Sequence, residues 1–147
     1  MSSLKGTVLA NLREMVKLQR AAHDSMFKFS ITKLWPICLF TPQVDWIRIT
    51  RMMNSLLEKC EEQKEFLAKE RGNAPEDDMP ALNLLPEYID ALASASEILG
   101  GAAAYRQDVL ERKRKMRFGE WNSILKNYNV ACDNMAKAGV ALYKTFV

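Results

Sequence analysis

The sequence has a single histidine, His23, and only three cysteines, Cys38, Cys60 and Cys132, which share no CxxC-type spacing. One copy of the chain therefore cannot assemble a histidine-rich metal site or a Cys/His/His ligand set, and an odd number of widely spaced thiols points away from a disulfide framework. A reducing compartment, cytoplasmic or mitochondrial, follows as the expectation. Long apolar runs are missing as well. The richest, from Leu34 to Phe40, contains Pro36 and falls far short of the roughly 20 residues that a membrane span requires. Glycine (6) and proline (5) are scarce and gather mainly between periodic segments, which leaves long stretches free to be helical.

Catalytic signatures are equally sparse. No serine sits in a GxSxG elbow, and Gly100 and Gly101 are not followed by the Lys-Ser/Thr of a phosphate-binding loop. Glu58, Glu61, Glu62 and Glu65 lie at helical spacing, yet no Glu-x-x-His pair accompanies them, so they read as a solvated acidic face. His23 and Asp24 are neighbours in sequence and form no dyad. The sequence thus assigns no catalytic residue, no metal ligand and no cofactor, and predicts a protein that is not an enzyme.

What is present is helical periodicity in a chain of 147 residues, 48% hydrophobic and 27% charged, the size and balance of one globular domain. Apolar residues recur at three- and four-residue steps through Val8, Leu12, Met15, Ala22, Met26 and Phe29, predicting a first helix from about Ser3 to Phe29. Thr41 before Pro42 predicts the cap and first residue of a second helix. Its seam runs Trp46, Ile49, Met53, Leu56, Cys60, Gln63, Leu67, and Gly72 marks its end. Residues 72–86 hold three prolines and the acids Glu76, Asp77 and Asp78, predicting a loop, with Pro86 opening a third helix. That helix carries Ile89, Leu92, Leu99, Val109 and Leu110 and is otherwise built of small residues from Ala91 to Ala104. A break at 116–120, around Gly119, precedes a fourth helix with the stripe Trp121, Leu125, Tyr128, Cys132, Met135, Gly139, Leu142, Phe146. The predicted fold is an all-α antiparallel bundle of four long amphipathic helices; without that break, helices three and four would form one coiled-coil-like rod. Cys60 and Cys132, both on seams, are expected to be buried.

Charge is segregated along the chain. Residues 1–51 carry 8 basic and 3 acidic groups, residues 52–104 carry 4 and 11, and residues 105–147 carry 9 and 4, or +5, −7 and +5. In an up-down bundle this makes one pole basic and the 72–86 pole acidic. The basic pole gathers Lys28, Lys33, Arg48 and Arg51 with Arg112, Lys113, Arg114, Lys115 and Arg117, beside an aromatic connector containing Trp35. A second candidate surface is the small-residue face of Ala91, Ala95, Gly100, Gly101 and Ala102, where a helix from another chain can approach closely.

These features predict a non-catalytic helical-bundle interaction protein, a structural or accessory subunit whose partners are other protein subunits. The basic N-terminal segment, with Lys5, Arg13, Lys17 and Arg20 against Glu14, fits a mitochondrial assembly. The alternative reading is a peripheral protein whose basic, aromatic pole contacts anionic lipid at a membrane surface. Nucleic-acid binding ranks third, because no aromatics are spaced for base stacking and no known motif is present.

Overall fold

The computed structural model describes residues 4–31 and 44–146, the side chains of 28–31 and 146 excepted. Four helices account for most of them: α1 (Leu4–Ile31), α2 (Trp46–Glu70), α3 (Met79–Leu110) and α4 (Phe118–Tyr143). No strand occurs among the described residues. Single 3-10 turns follow α2, precede α3 and end the described chain.

Cross-links between elements fix the topology as up-down-up-down. Lys5, at the start of α1, pairs with Asp78, just before α3, at 3.2 Å. Asn11 reaches Gln63 near the end of α2 at 3.3 Å, and Lys64 of α2 pairs with Asp90 of α3 at 2.8 Å. At the other end Arg106 of α3 lies between the rings of Trp46 and Trp121, 5.1 and 5.0 Å from their centroids, tying the starts of α2 and α4 together. The acidic turn and the basic α3–α4 turn therefore lie at opposite ends of a bundle roughly 40 Å long, at 1.5 Å per helical residue.

The α2 seam packs as its spacing predicts. Trp46, Ile49, Met53, Leu56, Cys60 and Leu67 are all buried, and Gln63, the polar member, is half-buried. Its start differs. Val44 and Asp45 are not helical, so α2 does not begin at Pro42; the Asp45 carboxylate accepts the Arg48 N–H at 3.0 Å and caps the helix. Residues 32–43, with Thr41 and Pro42, lie outside the described residues.

Pro86 also departs from expectation, for it lies inside α3 instead of opening it. The earlier Pro80 occupies the first turn, where a missing N–H costs nothing. Interior proline costs about 3 kcal/mol. Burial of Ala81, Leu82 and Leu85 before it offsets that cost, at roughly 1.5–3 kcal/mol for each leucine.

Helix α3 is the centre of the molecule, packed on α2, on α4 and, more lightly, on α1. It continues through both glycines. A Cβ on Gly100 would lie 3.0 Å from the Met53 Cβ, so glycine sets the α2–α3 approach there, whereas Gly101 faces open space. Leu110, near its C-terminal end, is 56% exposed.

The chain turns at 111–117, so α3 and α4 form a hairpin and not a rod. The Arg112 N–H donates to the Val109 carbonyl and the Lys113 N–H to that of Asp108, a Schellman closure with Arg112 at φ 60° where glycine is usual. The break thus falls earlier than the predicted 116–120, because Arg112 and not a glycine makes the turn: Gly119 lies within the first turn of α4.

Candidate functional site

Helix α4 leaves its stripe only partly covered. Tyr128, Ala131 and Leu142 are buried, while Trp121, Leu125, Cys132, Met135 and Gly139 are half-buried, which corrects the expectation of a buried Cys132. The cause is the separation of α4 from α1, whose backbones approach each other at almost no point. The two helices meet through side chains.

The largest of those contacts centres on Tyr128. Its hydroxyl accepts from Gln19 Nε2 at 2.7 Å and lies 2.8 Å from His23 Nδ1. Burial pushes the Tyr128 phenol far above its ordinary range, with hydrogen bonding to Cys132 adding to the rise. Tyr128 therefore stays neutral and acts as a strut. Gln19 was a legible signal, since it continues the α1 seam through Val8, Leu12, Met15, Ala22 and Met26 at the same three- and four-residue steps.

From this strut towards Leu142 the seam is open. One cavity of about 550 Å³ is lined by Leu9, Leu12 and Val16 of α1, Tyr88 of α3 and Gly139 and Leu142 of α4. A second, of about 460 Å³, shares Val16, Arg20, Tyr88 and Gly139 and continues past His23, Tyr128 and Cys132. Together they form one groove running along α1 from Leu9 to Asp24, about 22 Å by helical rise. Its floor depends on Gly139, where a Cβ would meet the Tyr88 ring at 3.3 Å. Arg13, Lys17 and Arg20 stand exposed on the α1 rim. Lys17 pairs with Glu14 at 3.1 Å, while Arg13 and Arg20 have no ion pair among the described residues.

The small-residue face is largely internal. Ala95, Gly100 and Ala102 are buried by the chain's own helices, Ala91 is half-buried and Gly101 alone is exposed. In this arrangement Ala95, Gly100 and Ala102 are covered by the chain's own helices.

The basic pole is a surface. Arg48 and Arg51 near the start of α2 are exposed, as are Arg112, Lys113, Arg114, Lys115 and Arg117. Lys33 and Trp35 lie outside the described residues, as does the side chain of Lys28. Several cations are engaged locally: Lys113 pairs with Glu111 at 2.7 Å, Arg117 lies 4.0 Å from Glu120, and Arg114 covers the Tyr105 ring. The Tyr105 hydroxyl accepts the Arg117 N–H at 3.0 Å and donates to Glu120 at 3.1 Å, pinning the turn to α3. Sequence reasoning missed Tyr105 and Arg106, because a lone aromatic or cation on a helix carries no positional signal until its stacking partners are known.

Among the described residues no group of three or more His, Cys, Asp or Glu side chains is close enough to hold a metal ion, and no helix is long and apolar enough to cross a membrane. No family model, no curated protein and no solved structure matches the chain.

Proposed function

We propose that this protein is a non-catalytic interaction subunit that receives an amphipathic helix of another protein in the groove between α1 and α4. The observation that carries this reading is the groove itself: two adjoining cavities with an apolar floor, along a seam where the α1 and α4 backbones stay apart. A length of about 22 Å suits a helix of some four turns, anchored at i, i+3/i+4 and i+7. Arg13 and Arg20 on the rim, without an ion pair among the described residues, select an occupant with acidic residues beside its apolar stripe. Chemistry is the weaker reading, since His23 and Tyr128 are spent on each other and on Gln19. A reducing compartment, whether cytoplasmic or mitochondrial, suits the unpaired Cys60 and Cys132.

The test is purification of the tagged protein from its own cells at low and high salt, alongside an Arg13→Glu/Arg20→Glu variant and a Leu9→Glu variant. The reading expects a stoichiometric partner that survives high salt with the native chain and is lost from both variants while their helicity is unchanged. Recovery of the chain alone, or a partner indifferent to both variants, contradicts it.

A further inference from the structure

The α3–α4 turn lies at the end of the bundle opposite the acidic turn, and it combines exposed apolar side chains with a dense run of cations. Phe118 is 77% exposed, the most exposed of the large hydrophobic residues among those described, and Leu110 on the other arm of the turn is 56% exposed. Between them stand five exposed cations, Arg112, Lys113, Arg114, Lys115 and Arg117. Arg112 and Lys115 have no ion pair among the described residues. The start of α2, brought to the same end by the Trp46–Arg106–Trp121 stack, adds exposed Ile47, Arg48 and Arg51.

We infer that this tip docks on an anionic lipid bilayer, with Phe118 and Leu110 entering the interface and the surrounding cations facing acidic headgroups. Each half of that arrangement is weak by itself: one or two apolar side chains give marginal membrane affinity, and a handful of cations is screened by salt. Combined at one end of the bundle they act on the same surface. The tip is also held firm, because the Tyr105 hydroxyl fastens Arg117 and Glu120 to α3. Arg112 keeps a cation at a left-handed position where glycine would relieve strain, so the turn carries charge at a cost to local stability. Nucleic acid fits less well, since a single protruding aromatic, Phe118, offers no platform on which successive bases could stack. The groove reading stands apart from this one.

The experiment is co-sedimentation of the full chain with phosphatidylcholine vesicles, with and without about 30 mol% phosphatidylserine, at low ionic strength. Binding to the acidic vesicles and not to the neutral ones is expected. Arg112→Gln and Lys115→Gln should each weaken it about fivefold. Phe118→Ala should weaken it about tenfold or more, and Phe118→Leu should retain most of it. Phe118 is solvent-facing, so circular dichroism should be unchanged by either substitution. Absence of binding to acidic vesicles overturns the inference. So does equal binding by Phe118→Ala and the native chain, or binding to duplex DNA that exceeds vesicle binding and ignores Phe118, which would mark the tip as a polyanion site only.

Discussion

Two seams run the length of this bundle, and they are built differently. Between α2 and α3 the side chains interdigitate fully: Met53, Leu56, Leu92 and Leu99 have no measurable exposure, and Gly100 brings the helices close enough that a methyl group would touch Met53. Between α1 and α4 the same kind of three- and four-residue stripe is present, but it is closed at Tyr128 and leaves a groove from there towards Leu142. The difference shows that amphipathic spacing states which face is apolar without stating what covers it.

Core truncation should separate the two seams most widely. Leu92→Ala, in the closed seam, is expected to cost about 2–5 kcal/mol, whereas Leu9→Ala in the groove should cost about 1 kcal/mol. Urea unfolding followed by circular dichroism measures both, and equal losses would erase the distinction.

Alkaline pH should also weaken the closed seam first. Burial, with Glu61 and Asp90 nearby, pushes the Cys60 thiol from its usual 9.0 up to about 11. A raised folded-state pKa means that the stabilising contribution is complete below pH 9 and is lost as pH rises through 11. The loss should be of the order of 2 kcal/mol. Cys60→Ala should flatten the stability profile across that window; a profile unchanged by the substitution would contradict this assignment.

The strut between the open helices is the next target. Tyr128→Phe leaves the buried Gln19 amide and His23 Nδ1 without their shared partner, at an expected cost of about 1–3 kcal/mol. Hydrogen exchange should show the α1 amides around Gln19 and His23 losing protection ahead of those in α2. Uniform loss across the bundle would mean that the two seams open together.

Adjacent glycines give the smallest and sharpest contrast. Gly101→Ala meets nothing within 4 Å and should stabilise the protein by up to about 1 kcal/mol through helix propensity. Gly100→Ala should lose about 1 kcal/mol net, because the forced shift against Met53 exceeds the same gain. Thermal unfolding of the two variants should move in opposite directions.

Much of the fold was legible because burial and spacing agree: the α2 seam from Trp46 to Leu67 and the α1 seam from Val8 to Met26 are read directly from periodicity. Boundaries were less legible where residues serve unusual positions. Pro86 is tolerated inside α3 because packing outweighs its missing hydrogen bond, and Arg112 occupies the left-handed position that a reader assigns to glycine. The cations of the basic pole could be named and placed at one end, since an up-down topology follows from four helices and short turns. The groove could not, because half-buried Cys132 and buried Cys60 occupy equivalent stripe positions in the sequence. Only the relative placement of α1 and α4 tells them apart.

That pair of thiols gives the most direct test of the central claim, that the α1/α4 seam is an open site which a partner helix fills. In a Cys38→Ser background, alkylation rates at Cys60 and Cys132 should be compared in the lone chain and in the complex recovered with its partner. The account predicts that Cys132 reacts in the lone chain and is protected in the complex, while Cys60 is protected in both. Equal protection of the two thiols in the lone chain, or a Cys132 rate unaffected by the partner, would contradict it.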